Sequence, residues 1–416
     1  IKLHPNLAVI VGANGSGKTS IMEGAAIAVS TIFVKMDGLY SRRIDKNQVR
    51  LKAFSVGSTK DVQPQYPVTV QAEAMTKSGE KKWERSLNKL NGSTTIGNAK
   101  DMIDLGIQFQ KHLREGDTKL ILPVIAYYGT GRLWDYHREK QSDVFETNNR
   151  MNGYMDCVDG TANIKLMMNW FAKMTVRKYQ NQELGLEGIP ELEAVYAAME
   201  TCYKKITGND EVKMQYNVGT KELEVAYRDE SGELMRIPIN QLSDGYKSTI
   251  SLVADIAYRM AALNPQLLGN VCRETDGVVL IDEIDLHLHP QWQQTILNDL
   301  HAIFPEVQFI VSSHAPAVIN SVPREQIRIL DHGEIYMPAA QTYGRDANSI
   351  LREVMNVSER PAAIKQRMDL FYAYMDENNY EKADKVLTEM EAIVGTTDPD
   401  IAAARTSLDL ERILGE

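Results

Sequence analysis

The chain has little of what marks several common protein classes. Its 416 residues contain three cysteines, widely separated in the sequence, which fits a reduced cytosol better than a disulfide-stapled secreted protein. The longest apolar runs are far shorter than a membrane span, and we expect no signal peptide because the sequence shows no such pattern. The formal net charge is −10, so the protein does not coat nucleic acid through bulk positive charge. These absences predict a cytoplasmic protein without a membrane partner.

A glycine-rich stretch near the start of the chain carries the first functional signal. It follows an apolar segment at residues 7–11, predicted as a strand, and a predicted helix begins near Lys18, which is the setting of a phosphate-binding P-loop. Glycines let backbone N–H groups face phosphate oxygens, and the helix N-terminus adds partial positive charge. We expect Lys18 to reach the β- and γ-phosphates of ATP and the Thr19 hydroxyl to bind Mg²⁺. The full spacing disfavours a turn that binds nothing. The nucleotide-binding residues predicted here are Gly12, Ala13, Asn14, Gly15, Ser16, Gly17, Lys18, Thr19 and Ser20.

An acid pair, Asp282-Glu283, ends a run of four apolar residues that is predicted as a strand buried on both faces. The acids should therefore lie at the carboxyl end of that strand, where open α/β sheets bind ligands. We expect Asp282 to hold Mg²⁺, and Glu283 to orient and deprotonate the attacking water. Two adjacent acids can also merely end a strand, but their order relative to the P-loop favours the catalytic interpretation.

Two further stretches complete the pattern. Ser312-Ser313-His314 comes directly after a second apolar strand, predicted at residues 307–311. Leu242-Ser243-Asp244-Gly245-Tyr246 precedes a predicted amphipathic helix. A lone histidine is more often a packing or surface residue, and His314 differs through this context. The four stretches, in this order, resemble the ATP-binding-cassette ATPases, and within them the RecF/SMC branch, over about residues 1–335.

The resemblance implies a composite active site. His314 would contact the γ-phosphate as a second catalytic residue beside Glu283, while Ser243 and Gly245 of one copy would bind the nucleotide held by another copy. Such a site implies an ATP-sandwiched homodimer or a higher homo-oligomer. Asp244 replaces the first glycine of the family signature.

Two places leave alternatives open. Cassette ATPases usually have a magnesium-binding glutamine at the end of the strand predicted at residues 120–128, and none is clear here. Thr130 or Arg132 would replace it, although an ion pair that stabilises the fold is an equally good role for Arg132. His287 and His289 have a spacing that could suggest a metal, but no further ligands accompany them, so a loop that crosses to the partner subunit is favoured.

A narrower resemblance is to the ATPase subunits of Septu antiphage systems, the PtuA family, which also occur beside retrons. It rests on Tyr127–Trp134, Gln241–Ser248 and Tyr343–Leu351. It implies ATP and Mg²⁺ as cofactors, and as partners the HNH nuclease PtuB and, beside a retron, the reverse transcriptase and its nucleic acid. A RecF-like DNA-repair or recombination ATPase that clamps DNA is the alternative function. An adjacent HNH nuclease gene would favour defence.

The organisation predicted from these motifs is an α/β fold. We expect an ABC-type ATPase head, a P-loop NTPase with a mixed sheet and flanking helices, to which a short helical insert and a C-terminal helical tail are added. The predicted boundaries are residues 1–135 for the first lobe, 136–212 for the insert, 213–340 for the second lobe and 341–416 for the tail. The insert is too short and lacks the sustained heptads of an SMC coiled coil. The chain starts at Ile rather than Met, beside the P-loop strand, so we expect the natural N-terminus to lie upstream.

Surface features leave the partners less determined. Local basic clusters are either solvated helix faces or sites of DNA or RNA contact. The helical tail after residue 346 and the insert around 150–210 are the candidate docking surfaces for a nuclease, and packing on the ATPase head is the alternative. The sequence contains no nuclease constellation of its own and, after residue 340, too little chain for a TOPRIM domain. The basic clusters are Arg42, Arg43, Lys46, Arg50 and Lys52; Lys81, Lys82 and Arg85; and Lys173, Arg177 and Lys178.

Overall fold

The structure is a computed structural model, which describes residues 1–131, 149–160, 163–229 and 231–415. The chain forms two compact units, Ile1–Gly344 and Arg345–Glu416. The strands of the first unit are, in chain order, β1 (Leu7–Val11), β2 (Leu51–Val56), β3 (Thr59–Pro64), β4 (Val68–Thr76), β5 (Gly79–Leu87), β6 (Val124–Tyr128), β7 (Val212–Asn217), β8 (Glu222–Arg228), β9 (Leu234–Pro238), β10 (Gly277–Ile281), β11 (Val307–Ser313), β12 (Ile327–Asp331) and β13 (Glu334–Tyr336).

The α-helices divide between the two units. Those of the first unit are α1 (Lys18–Val29), α2 (Lys100–Arg114), α3 (Ile164–Glu183), α4 (Pro190–Thr207), α5 (Asp244–Leu263), α6 (Val271–Glu274), α7 (Pro290–Gln293), α8 (Ile296–Ile303) and α9 (Pro316–Ile319). Those of the second unit are α10 (Ala347–Glu353), α11 (Ala362–Asp376), α12 (Tyr380–Val394) and α13 (Pro399–Gly415). Throughout the described ranges, the helices are too short or too polar to cross a bilayer.

A six-stranded sheet organises the first unit, in the order β13-β12-β1-β11-β10-β6. All neighbouring pairs are parallel except β12 with β13, which form a closing hairpin. Strands β1 and β6 are buried along their whole length, as expected for apolar strands covered by helices on both faces. This sheet and its helices confirm the predicted α/β class.

The register of the parallel strands determines where the site forms. Val11 at the end of β1 lies opposite Ser313 at the end of β11, and Ile281 at the end of β10 lies opposite Val311. The carboxyl ends of the three strands therefore meet at one edge of the sheet. The P-loop, the acid pair and His314 each follow one of these ends, which brings three separate motifs together.

The two helices between β6 and β7 pack within the first unit. Helix α4 lies along α5, and α3 contacts both α4 and α5. Trp170 of α3 packs edge-on against Tyr258 of α5, with ring centroids 5.5 Å apart. These helices therefore bury a face of α5, the helix that begins at the signature stretch.

The second unit has a core of its own. Helices α11 and α12 form a hairpin within the predicted helical tail, and α13 packs against α12. A single helical hairpin cannot bury its apolar face alone. Here the third helix, α13, contributes buried side chains to the same core as the hairpin. The buried residues shared by the three helices are Phe371, Ala383, Leu387, Met390, Ile401, Ala404 and Leu408.

Candidate nucleotide-binding site

The P-loop turns tightly between β1 and α1. Gly15 and Gly17 have φ angles of 80° and 104°, in the left-handed region that favours glycine, and Gly17 forms the N-cap of α1. Gly12 is needed for a different reason. A Cβ atom there would lie 2.6 Å from both the Leu330 carbonyl oxygen and the Ser16 Oγ. The loop thus brings its backbone close to the start of a helix, where N–H groups without helical partners favour an anion.

Side chains of the loop fit a polyphosphate. The Lys18 ammonium is buried and donates hydrogen bonds to the carbonyl oxygens of Gly12, at 2.7 Å, and Ala13, at 3.1 Å. The Ser16 hydroxyl is buried and has no hydrogen-bond partner among the described residues. Buried charged and polar groups are costly unless they are well paired, and phosphate oxygens would supply strong acceptors for both. Thr19 and Ser20 follow Lys18 in the first turn of α1.

The acid pair is held by a serine of the neighbouring strand. Asp282 is buried at the end of β10, and its carboxylate accepts a hydrogen bond from the Ser312 Oγ. The same Oγ accepts a hydrogen bond from the Glu283 backbone N–H at 2.8 Å. The Ser312 carbonyl also accepts a hydrogen bond from the Ile284 N–H, at 3.0 Å. Ser312 therefore holds the Asp282 carboxylate and the backbone of Glu283 through one hydroxyl. The sequence placed Ser312 only beside His314, and its link to Asp282 depends on the β10–β11 pairing.

The backbone changes direction at the predicted base. Glu283 has a φ angle of 48°, which is uncommon for a residue with a side chain and costs free energy. The positive φ ends the extended strand immediately after Asp282. The hydrogen bond from the Glu283 N–H to Ser312 stabilises this conformation. Such outliers cluster at functional sites, which agrees with the position of Glu283 at the binding edge of the sheet.

His314 pairs with a buried acid from the next loop. Its Nδ1 lies 3.4 Å from the Asp285 Oδ2, and the imidazole is about half exposed while Asp285 is buried. A carboxylate at Nδ1 orients the ring and leaves Nε2 available for a ligand. Asp285 had no predicted role. Its place two residues after Glu283 is the signal that could have suggested one.

The signature stretch forms the N-terminus of α5. Ser243 is the exposed N-cap residue, and within the described part of the chain its side chain makes no capping hydrogen bond. Gly245 is buried against the loop that follows the acid pair: a Cβ there would lie 2.7 Å from the His287 carbonyl oxygen and 3.1 Å from a ring carbon of Trp292. Asp244 pairs with Lys247 at 2.9 Å. The exposed hydroxyl and the unpaired amides of a helix N-terminus can bind an anion supplied from outside.

A buried ion pair, not predicted from the sequence, joins α5 to the sheet. The Asp255 Oδ2 accepts hydrogen bonds from the Arg259 Nε and the Tyr128 hydroxyl, both at 2.7 Å. Arg259 also donates to the carbonyl oxygens of Gly153 and Met155. Burial and the Asp255 charge raise the pKa of Tyr128 well above its usual value, so this hydroxyl remains a donor. Helix α5 is therefore tied to the end of β6.

Of the two candidates for the missing glutamine, Thr130 and Arg132, the structure describes only Thr130. Thr130 is exposed after β6, and Arg132 lies outside the described residues. Next to them, Tyr127 packs under α1, and burial together with the Asp282 charge raises the pKa of Tyr127 to about 12.

His289 caps α7, because its Nδ1 accepts a hydrogen bond from the Gln291 N–H at 3.3 Å. His287 has a φ angle of 64°.

Two family models match parts of the chain, and solved structures resemble it. Residues 1–207 match the family model described as "AAA domain", and residues 176–320 match one described as "AAA domain, putative AbiEii toxin, Type IV TA system". Among solved structures, the chain is similar to an SMC head bound to the C-terminal winged-helix domain of ScpA. That similarity has 15% identity and a TM-score of 0.41, and it covers 83% of this chain and 92% of the other.

Several curated relatives carry an ATPase or Septu name. The probable ATPase of retron Vc95 from Vibrio cholerae serotype O1 biovar El Tor is 26% identical over 405 residues, covering 86% of this chain and 75% of the relative. The probable ATPase of retron Ec83 from Escherichia coli is 25% identical, with 86% and 73% covered. The Septu protein PtuA of Bacillus thuringiensis is 29% identical over 171 residues, with 38% and 42% covered. The predicted resemblance is thus confirmed: this chain is a P-loop ATPase related to the retron Vc95 and Ec83 ATPases and, over a shorter stretch, to PtuA.

Proposed function

We propose that the chain is the ATP-binding and ATP-hydrolysing subunit of a bacterial antiphage defence complex, which dimerises around ATP and regulates a partner nuclease. The observation that carries the proposal is the arrangement of the site. The P-loop, the Asp282–Ser312–Glu283 group and His314 meet at one edge of the sheet, while Ser243 stands exposed at the N-terminus of α5. The names of the retron and Septu relatives support the defence context.

Within one chain, the P-loop would hold the triphosphate. Its backbone N–H groups and Lys18 would neutralise the phosphate oxygens, and the Ser16 hydroxyl would gain an acceptor to which it can donate. Magnesium would be bound by Thr19 and Asp282 together with phosphate oxygens, because Mg²⁺ prefers oxygen ligands and commonly uses one or two protein groups plus substrate phosphates. When bound, Mg²⁺ neutralises the charge that develops on the phosphates.

Hydrolysis would be divided among three side chains at the sheet edge. Glu283 would accept a proton from the attacking water, since its carboxylate follows the buried Asp282 directly. His314, oriented by Asp285, would contact the γ-phosphate through its free nitrogen. Ser312 would hold the Asp282 carboxylate and the Glu283 backbone in place through its two hydrogen bonds.

A second copy would complete the site. Ser243 is an exposed N-cap serine whose hydroxyl does not cap its own helix in the described structure. Because an anion is the natural ligand of such a helix terminus, the γ-phosphate held by another chain fits both the hydroxyl and the Gly245 N–H. The dimer would then form only with ATP bound, since ADP lacks the γ-phosphate.

The output would be destruction of nucleic acid by a separate protein. The resemblance to PtuA supports an HNH nuclease of the PtuB type as that partner and, beside a retron, the reverse transcriptase and its nucleic acid. Candidate docking surfaces are the helices α3 and α4 and the second unit, which exposes Leu370, Ile393 and Ile413. In each of the basic clusters that a DNA clamp could use, one residue pairs with a glutamate: Arg42, Lys82 and Lys178.

The experiment that tests the proposal is light scattering on the Glu283→Gln protein, which should bind ATP but hydrolyse it roughly 10²–10⁴-fold more slowly. Adding ATP should double its mass, and Ser243→Arg on this background should keep it monomeric while still binding ATP. A molecular mass that changes neither with ATP nor with Ser243→Arg would refute the composite site. Co-purification of the neighbouring nuclease with the full chain, and its loss from a chain ending near residue 345, would test the docking surface.

A further inference from the structure

An aromatic cluster packs at the signature stretch, residues 242–246. It consists of Tyr203 of α4, Tyr246 of α5 and Trp292 of α7. The Tyr246 and Trp292 ring centroids are 4.5 Å apart in an edge-on arrangement. Tyr203 completes the cluster, 6.1 Å from Tyr246. An edge-to-face pair such as Tyr246 and Trp292 is attractive beyond the effect of burial alone. The cluster thus joins three helices at the first turn of α5.

Trp292 also packs closely against the backbone of the signature stretch, at Gly245. The ideal Cβ position of Gly245 lies 3.1 Å from the Trp292 Cζ3 and 2.7 Å from the His287 carbonyl oxygen. The structure does not place Gly245 in the left-handed region, so close approach and not backbone conformation requires glycine here. Trp292 therefore rests directly against the peptide whose N–H group is proposed to bind phosphate.

The segment that carries Trp292 starts at Glu283, the proposed catalytic base. Successive turns build it, with hydrogen bonds from the Leu286 N–H to the Glu283 carbonyl and from the Leu288 N–H to the Asp285 carbonyl, both at 3.0 Å. Helix α7 follows, with Pro290 in its first turn and His289 as its cap. Tight turns and a capped helix leave this segment few ways to move. The position of Trp292 is thereby fixed relative to Glu283.

From these contacts we infer that Trp292 is a positioning residue for the composite site: through the aromatic cluster it holds the first turn of α5, and thereby Ser243 and the Gly245 N–H, where the γ-phosphate of the partner copy can reach them. The inference rests on the proposed dimerisation around ATP. It assigns to Trp292 no contact with nucleotide. Its role is to fix a binding surface before the partner arrives, which lowers the cost of association.

The chain offers a matched control. Trp170 is also a half-buried tryptophan that packs edge-on against a tyrosine of α5, Tyr258, at 5.5 Å and 60°, compared with 4.5 Å and 61° for Trp292 and Tyr246. Tyr258 lies far along α5 from the signature. Removing either ring should perturb the packing of α5, but only the loss of Trp292 should disturb its first turn.

The test measures ATP-dependent association by analytical ultracentrifugation on the Glu283→Gln background. Trp292→Ala should raise the dimer dissociation constant roughly tenfold or more, the loss expected for one aromatic anchor. Trp292→Phe should retain most of the association, and Trp170→Ala should associate as the parent does. ATP affinity, measured by calorimetry on chains kept monomeric by Ser243→Arg, should be equal with and without Trp292→Ala.

Each contrary result has a distinct meaning. Unchanged association of Trp292→Ala, or an equal loss in Trp170→Ala, would overturn the inference while leaving the dimer in place. Failure of the parent Glu283→Gln protein to associate with ATP would overturn the composite site and the inference with it. If Trp292→Ala does not fold, Trp292→Leu keeps apolar volume without the aromatic edge and should show the same direction of change; association equal to the parent's would again overturn the inference.

Discussion

Ser312→Ala is the substitution that most sharply probes the arrangement of the two acids. The hydroxyl is fully buried, donates to the Asp282 carboxylate and accepts from the Glu283 N–H. Alanine removes a charge-assisted hydrogen bond worth about 1.5–3 kcal/mol and a neutral one worth about 0.5–1.5 kcal/mol. The expected destabilisation is therefore about 2–4 kcal/mol, since both partner groups remain close to the protein interior.

The catalytic effect of Ser312→Ala should exceed its effect on binding. The Glu283 backbone has an unfavourable φ of 48°, and the lost bond is one that stabilises it. A carboxylate displaced by about 1 Å costs roughly 10–100-fold in turnover. We expect kcat to fall by that factor while ATP affinity, which depends on the P-loop, changes little.

Calorimetry and steady-state ATPase assays would check both effects. For the 344-residue first unit, about 2–4 kcal/mol corresponds to a lowering of Tm by roughly 3–6 °C. Ser313→Ala is the matched control: Ser313 is equally buried, and its hydroxyl accepts one neutral bond, from the Ala315 N–H at 3.0 Å. Its cost should be about 1 kcal/mol with kcat nearly unchanged. Equal effects of the two substitutions on Tm and kcat would refute the role given to Ser312.

Three further predictions follow from other parts of the first unit. Lys18→Ala should weaken ATP binding roughly 10–100-fold, and equal affinities in titration calorimetry would move the phosphate site elsewhere. Arg259→Met strands the buried Asp255 carboxylate, and should destabilise the unit by about 3–5 kcal/mol in calorimetric unfolding; a smaller loss than for Ser312→Ala would contradict the ion-pair argument. Burial raises the pKa of each of the three cysteine thiols from 9.0 to about 12. Unfolded thiols ionise near pH 9 and folded ones near pH 12. The contribution of the buried neutral thiols to the free energy of unfolding is therefore complete below pH 9 and is lost as the pH rises to 12. Alkylation of the native protein at pH 8 should be slow, and rapid labelling would refute the burial.

The sequence was sufficient for elements whose signal is local. The apolar run before Lys18 and the one before Asp282 each predicted a buried strand, and both are strands of the central sheet. Their common edge could also be predicted, because parallel strands present their carboxyl ends on one side. The C-terminal tail was likewise predicted to be helical, and α11 and α12 are two of its helices.

What escaped prediction depends on which residues meet across long separations. The bond between Ser312 and Asp282 requires the register of β10 on β11, which no local pattern encodes. Asp255 and Arg259 look like exposed helix charges at i and i+4, yet helices packed on α5 bury them completely. Trp292 reads as a surface residue of a short helix until the signature is placed beside it.

The measurement that tests the central claim most directly is complementation between two inactive variants. The Lys18→Ala chain has a defective P-loop and an intact signature, whereas the Ser243→Arg chain has the reverse. Neither chain forms the ATP-bound dimer efficiently by itself, so most dimers in an equal mixture would be mixed. Each mixed dimer would hold one intact composite site of two, and ATPase activity should return to as much as about half of the wild-type rate. A chain carrying both substitutions, mixed with Lys18→Ala, should restore none. A mixture as inactive as its separate components, or full activity of Ser243→Arg alone, would contradict a site shared between two copies.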